Sequence, residues 1–570
     1  MKIRNTRENH NILLLAIFAI LTLLVLLIRF GELTIAKQSN GVDLVSYDQT
    51  HDQNRSSITN AKRGTIFDSS GQPIALDATS YSIYAVLRSS WSDNVVEDVD
   101  KTAEALAKHL DLSRDEILDI LLNFEASQVE FGTAGINLSP QTKEAIEAEN
   151  LPGIILVSST HRQYINDVFA SHLIGYAIPS LEANDSQATI LEGQIGIEAA
   201  YDERLSGEAI YSQQEAEGIY SDSLLGEDIY LTLEGRIQNY LEDLMDQVYN
   251  RYLPKELNAY LVELDTGKLL AASQRPTFQL STREGIETEW RNFIVQESDE
   301  PGSTIKILTL AMAKELDLYD DNETFKSGSV EVYDQTVRDY NLYGWGDITF
   351  QEGLVHSSNV GMVYLVQRIG LERWVEILED FGFGQSTESN LPNESSGYLQ
   401  FDNPVSIMMS GFGQSFSATP MQLMQAYTTI GNEGEMLKIQ YLDHIGDRND
   451  SSYEVQSLGQ KISPETARYI LDSMVLTVEH PEGTARPFYN NDVRIAAKTG
   501  TAEIADAENG GYLTGPNDFY HSVVAFYPAE DPQYMVYLSM QQPSQSYGLN
   551  GSQILAQIFH PLVEYSLINQ

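Results

Sequence analysis

The chain has 570 residues and carries 35 Lys and Arg against 82 Asp and Glu, a formal charge of −47. That length exceeds one ordinary core and implies two to four domains, and the 42% hydrophobic and 21% charged fractions are those of a globular protein. The acidity repels phosphate backbones and argues against nucleic acid as a partner, while the absence of cysteine excludes thiolate catalysis, disulfides and Cys-ligated metals.

Residues 12–28 are apolar except for Thr22. At about 1.5 Å per residue, the run is just long enough to cross a bilayer core. Lys2, Arg4 and Arg7 precede it, opposed only by Glu8. Positive flanks stay in the cytoplasm, which predicts a cytoplasmic tail over 1–10, a single transmembrane helix over 11–30 and an extracellular remainder. The competing reading is a cleaved signal peptide. It has a shorter apolar core and a small-residue cleavage site, and Arg29-Phe30-Gly31-Glu32-Leu33 offers none. Residues 38–57 are polar and read as a stalk.

Arg63-Gly64-Thr65-Ile66-Phe67-Asp68 opens the first ordered region. Residues 80–86 alternate as a strand, and residues 100–112 carry apolar side chains at helical spacing. This mixed region extends to about Gly226, with glycine-marked stretches at 161–177 and 193–207 and no catalytic constellation. A second region begins with residues 229–233 and a helical pattern from Gly235 to about Tyr252. Apolar runs at 259–264 and 268–272 then flank Asp265-Thr266-Gly267, a hairpin signature. The stretch from Ser303 to about Ile430 reads mainly helical, residues 522–527 and 534–540 read as strands, and residues 554–567 as a last helix. Strands at both ends with helices between predict an α+β domain: an antiparallel sheet whose terminal strands meet, covered by helices.

Three short motifs carry chemistry. Ser303-Thr304-Ile305-Lys306 follows Pro301-Gly302 and starts an apolar helix. Residues three apart on a helix share a face, so Lys306 can reach the Ser303 hydroxyl, and a lysine that burial keeps uncharged can take its proton. This is the one serine placed three residues before a lysine in the chain. Ser357-Ser358-Asn359 places a hydroxyl and an amide two apart, suited to relaying a proton and to holding Lys306 by hydrogen bonds. Ser92-Asp93-Asn94 fits the same pattern but precedes the nucleophile, and reads as a polar turn. Lys498-Thr499-Gly500-Thr501 reads as a strand edge. Gly500 leaves room there for a substrate backbone, Lys498 and Thr501 suit a carboxylate, and the amides of Ser303 and Thr501 suit an oxyanion. Any one of these is an ordinary tetrapeptide; in this order they are the signature of penicilloyl serine transferases.

With these residues in hand, the chain resembles a class B penicillin-binding protein, the monofunctional transpeptidase of cell-wall synthesis. Arg63 to Asp68, Arg162-Gln163-Tyr164, Gly175-Tyr176 and Gly196-Ile197-Glu198 resemble motifs of that family's non-catalytic pedestal. The hairpin around Asp265-Thr266-Gly267, Arg275-Pro276-Thr277-Phe278, Trp290-Arg291-Asn292 and Glu300-Pro301-Gly302-Ser303 resemble the start of its transpeptidase domain. His356 to Met362 is nearest the division-associated type of Gram-positive cocci. The resemblance implies an anchor, a stalk and elongated mixed α/β pedestal over 31–226, and a transpeptidase domain over 227–570 with a five-stranded antiparallel sheet between helices. Two departures stand out. Ser69 replaces the arginine that follows Asp68 in the family, which removes a local salt bridge, and the C-terminal repeat domains of the division type are lacking.

The resemblance further implies a substrate of peptidoglycan stem peptides ending in D-Ala-D-Ala, covalent binding of β-lactams, and no metal or organic cofactor. Catalysis falls to Ser303, Lys306, Ser357 and Asn359, and substrate binding to Lys498, Thr499, Gly500 and Thr501. A membrane glycan polymerase and division proteins are the implied partners. A serine β-lactamase, or a non-catalytic β-lactam sensor or division scaffold, shares parts of the pattern.

Overall fold

The structure is a computed structural model that describes residues 62–88, 94–123, 125–179, 191–207, 225–448, 453–504, 506 and 511–568, with the backbone of one small strand pair, Gln38–Ser39 and Val42–Asp43. That pair lies in a unit separate from the other described residues. The tail and transmembrane helix predicted over 1–10 and 11–30 lie outside the described residues, as does most of the predicted stalk. Among the described residues no helix is long and apolar enough to cross a membrane.

Strands β1 (Ile66–Phe67), β2 (Pro73–Val86), β3 (Gln128–Glu130), β4 (Ile154–Tyr164) and β5 (Ile229–Leu231) form one sheet with Leu442–Ile445. β2 and β4 pair antiparallel from Ala75 opposite Tyr164 to Ala85 opposite Ile154. β1 runs parallel to β5, and Leu442–Ile445 closes on β5 from the other side. The pedestal sheet is therefore completed by strands from beyond residue 226. Two helices, Val99–Leu106 and Arg114–Leu121, start on the side-chain caps Asp98 and Ser113. Their apolar faces pack Ala103, Leu106, Ile117 and Leu121 on Ile83 and Ala85, a small core of its own.

The pedestal motifs meet at one buried ion network. Glu198 accepts from Arg63 Nε and Arg162 Nε, both at 2.7 Å, while Arg63 also reaches Asp202 and Arg162 reaches Asp77. Gly64 and Gly226 let backbones touch beside it: a Cβ at Gly64 would lie 1.9 Å from Glu227 O. Beside Ser69, the Asp68 carboxylate is held by its own turn. Asp68 Oδ1 accepts from Ser70 N, Ser70 Oγ and Gln72 N at 2.9, 2.7 and 2.8 Å.

The second region is a sheet sandwiched by helices. Its strands are β6 (Glu256–Glu263), β7 (Leu269–Arg275), β8 (Ala496–Glu503), β9 (Phe519–Tyr527) and β10 (Tyr534–Gln541), in the order β7-β6-β10-β9-β8, all antiparallel. The expected five strands are present, and the terminal strands meet where β6 pairs with β10. The hairpin turn closes at Gly267, φ +72°. The period of two sends alternate residues to opposite layers. Leu257, Ala259, Leu261, Ala497, Val523 and Val536 pack on α1 (Gly235–Tyr252) and on the last helix, Gly551–Ile568. Tyr260, Val262, Ala496, Val524 and Tyr537 face the other helices, among them α2 (Lys306–Glu315), α3 (Asn359–Ile369), α4 (Pro420–Gly431) and α5 (Pro464–Glu479). That second core runs without a break into the inner pedestal, through Ile66, Tyr164, Ile197 and Ile229.

The middle of the chain departs from its mainly helical reading at one place. Thr324–Lys326 pairs with Asp347–Thr349, and Ser329–Val332 pairs with Gln335–Arg338, as two small antiparallel ladders. Short alternating runs such as Val330, Val332 and Val337, broken by Gly328 and Gly346, favour hairpins over helix.

Candidate active site

The Ser303 segment is set by glycine geometry. Gly302 has φ +58°, and Gly302–Ile305 form a tight 3₁₀ turn that leads directly into α2. Gly413 presses on this turn so closely that a Cβ there would lie 1.9 Å from Gly302 O, and Gly302 N donates to Gly413 O at 3.0 Å. Beneath it, Thr304 Oγ1 donates to Pro301 O at 2.8 Å and accepts from the buried Tyr427 hydroxyl at 2.8 Å. The turn is thus pinned while Ser303 itself stays partly exposed.

One turn on, Lys306 is 0% exposed, and its Nζ lies 2.7 Å from Ser357 O, 2.7 Å from Asn359 Oδ1 and 3.2 Å from Ser357 Oγ. Lys498, also 0% exposed, donates to Ser357 Oγ at 3.0 Å and to Thr499 O at 2.8 Å. Two ammonium groups within ~6 Å repel by about 3 kcal/mol even at an effective dielectric of 20, and each loses its hydration on burial. Burial, then the neighbouring Lys498 charge, hold the Lys306 amine well below the usual lysine range, with Asp339 opposing the shift. Burial alone brings Lys498 down to about 7. Ser357 O and Asn359 Oδ1 can only accept, so an uncharged Lys306 spends both N–H groups on them and keeps its lone pair for the Ser357 hydroxyl.

The Ser357 loop owes its shape to a residue that the sequence did not single out. Ser357 sits at φ +58°, a strained setting for a residue with a side chain, and this presents both its carbonyl and its hydroxyl to Lys306. The buried Asp339 carboxylate holds the loop by accepting from Ser358 Oγ at 2.9 Å, Val360 N at 3.0 Å and Gly328 N at 2.8 Å. Ser358 in turn caps α3 through Gly361 N. No motif spacing points to Asp339, because its partners are supplied by the tertiary fold.

Lys498 to Thr501 lie on β8, the edge strand, as its motif predicted. Alternation puts Lys498 and Gly500 on the α2 side, and Thr501 is exposed. Gly500 is needed by the interior: a Cβ there would meet Ser522 Oγ at 2.2 Å, Pro301 O at 3.1 Å and Thr304 Cγ2 at 3.2 Å. It lets the edge strand lie flat on the Ser303 turn. A Cβ at Gly302 would likewise come within 3.2 Å of Thr501 O, which sets the Ser303 and Thr501 segments side by side. Glu300 closes the margin by accepting from Ser415 N and the Tyr512 hydroxyl, and burial pushes its carboxyl up to about 7. The three segments that hold the eight predicted residues therefore adjoin: Lys306, Ser357, Asn359 and Lys498 share hydrogen bonds, and the Ser303 turn lies against the Gly500–Thr501 strand. Of the pattern's decoy, Ser92 and Asp93 lie outside the described residues, and Asn94 ties the Gly153 amide. Among the described residues no cluster suits a metal ion.

A serine acyl-transfer enzyme is the class that this fold and cleft define: an α/β/α catalytic region with a serine turn and two buried lysines. Residues 258–564 match the penicillin binding protein transpeptidase domain, and residues 58–219 match the penicillin-binding protein dimerisation domain. The chain belongs to the penicillin-binding protein transpeptidase family, in its monofunctional class B form. It is similar to the stage V sporulation protein D of Bacillus subtilis, 28% identical over 97% of this chain and 84% of that protein. The probable peptidoglycan D,D-transpeptidase PenA of Neisseria meningitidis is 25% identical over 89% and 84%. The crystal structure of penicillin binding protein 2X from Streptococcus thermophilus superposes with a TM-score of 0.75, at 30% identity, over 90% of this chain and 80% of that one.

Proposed function

We propose that this chain is a peptidoglycan D,D-transpeptidase that cross-links stem peptides ending in D-Ala-D-Ala, with Ser303 as the nucleophile. The observation that carries this is the convergence of Lys306 and Lys498 on Ser357, beside the pinned Ser303 turn. Ser303 Oγ attacks the carbonyl between the two D-alanines while the uncharged Lys306 takes its proton. The amides of Ser303 and Thr501 receive the oxyanion. Lys498 in its charged form and Thr501 hold the terminal carboxylate, and Thr499 and Gly500 complete that strand of the substrate site. Asn359 keeps Lys306 oriented. The proton returns from Lys306 through Ser357 to the departing D-alanine amine as the C–N bond breaks. An acceptor amine then forms a new C–N bond at the acyl carbon, the ester C–O bond breaks, and Ser303 recovers its proton.

In this reading residues 1–10 are cytoplasmic, 11–30 span the membrane, 31–226 form the stalk and pedestal, and 227–570 carry the chemistry outside the cell. Its setting is cell-wall synthesis at division, beside a membrane glycan polymerase and division proteins. The test is labelled penicillin. The wild-type protein takes up one label slowly and keeps it, and Ser303→Ala takes up none. Persistent labelling of Ser303→Ala refutes the assignment, and rapid catalytic turnover of a chromogenic cephalosporin marks a β-lactamase instead.

A further inference from the structure

Residues 339–346 leave the cleft and return to it. At one end Arg338 O accepts from Asn359 Nδ2, and Asp339 holds Ser358. At the other the Trp345 ring stacks on His356, next to Ser357, with centroids 4.8 Å apart and planes 13° inclined. Between these fixed ends the chain exposes apolar side chains: Tyr340 at 66%, Leu342 at 70% and Tyr343 at 100%. Tyr340 meets Trp345 edge-on at 5.3 Å, so an aromatic ladder runs from the rim down to the Ser357 loop. Exposed aromatic groups gathered on a highly charged chain mark a contact surface.

The charges around this rim select the contact. Glu482 is largely exposed, and its Oε2 lies 4.0 Å from His356 Nδ1. That imidazole nitrogen is buried and, among the described residues, without a hydrogen-bond partner. Burial lowers the imidazole from its ordinary range, with the Glu482 charge opposing the shift. Glu331 and Asp347 stand on the adjoining ladders, and Asp334 in the turn of one, against the cations Lys326 and Arg338. Exposed carboxylate and ring face together suit a cation with N–H groups to donate.

We propose that Tyr340 and Glu482, seated on the Trp345–His356 stack and with Tyr343 at the outer edge, form the acceptor subsite, which binds the ammonium of the second stem peptide before it gives up a proton to solvent and, as the free amine, resolves the acyl-enzyme. This rests on the transpeptidase reading. It also gives part of the chain's acidity a use that a solvated surface does not need.

The test uses the full chain, a thioester donor that acylates the serine, and an N-acetylated peptide whose single free amine is a lysine side chain. Tyr340→Ala and Glu482→Gln each raise the acceptor KM for aminolysis by about fivefold, while acylation by labelled penicillin stays within about twofold of wild type. Tyr340→Phe keeps the ring face and restores the acceptor KM, which separates binding from a folding defect. An unchanged acceptor KM in both variants overturns the proposal. So does a matched fall in penicillin acylation, which places the donor on the rim. A wild-type protein that penicillin does not acylate at all fails the transpeptidase reading itself, whatever the rim does.

Discussion

At the scale of the residue, chemistry depends on which buried lysine holds a proton. Lys498 has charge-accepting partners in Thr499 O and Ser357 Oγ, and with an ordinary range brought down to about 7 it titrates near neutrality. Burial and the neighbouring Lys498 charge hold the Lys306 amine well below the usual lysine range. Acylation therefore needs a pH high enough to leave Lys306 uncharged and low enough to keep Lys498 charged. The account predicts that kcat/KM for a carboxylate-bearing donor falls as pH rises through about 7, since that ratio reports the free enzyme. Lys498→Arg, which stays charged, loses this alkaline limb even where its maximum rate is lower. A limb that persists in Lys498→Arg assigns the titration to another group.

At the scale of the element, the edge strand and the Ser303 turn are held at backbone contact by missing side chains. A methyl at Gly500 has to displace Ser522 Oγ and press on Pro301 and Thr304. Gly500→Ala is predicted to slow penicillin acylation by at least tenfold and to cost about 1–3 kcal/mol of stability, measured by stopped-flow labelling and by thermal unfolding. Much at this scale was legible beforehand. The alternation of residues 522–527 and 534–540 and the hairpin around the Gly267 turn located four strands, and the helical spacing from Gly235 located α1. The three motifs picked out segments that the fold brings together, because each demands a particular hydrogen-bonding group at fixed spacing. What the sequence left dark was tertiary. Asp339 and Tyr427 act through Ser358 and Thr304, and no local pattern brings them there. Gly500 was legible as a glycine needed for closeness, but what comes close is the Ser303 turn. The hairpins at 324–349 hid inside a helical stretch because their runs are only three or four residues long.

At the scale of the molecule, the pedestal holds no share of the cleft yet is welded to the catalytic region. β5 and Leu442–Ile445 complete its sheet, and the larger core continues through it. Its strongest polar feature, Glu198 between Arg63 and Arg162, is fully buried, and removing one partner of such a network costs roughly 3–5 kcal/mol. Glu198→Ala is accordingly predicted to lower the thermal midpoint markedly while, in the protein that remains folded, penicillin acylates at a rate within about twofold of wild type. A variant that folds normally but no longer acylates contradicts the view of the pedestal as support.

The spatial demand under all of this is that three segments distant in sequence serve one hydroxyl. Peptide mapping by mass spectrometry after exposure to penicillin measures it most directly. The account predicts a single adduct, on the peptide that contains Ser303, that persists for many minutes. An adduct on Ser357 or any other residue, or none on a folded protein, contradicts it.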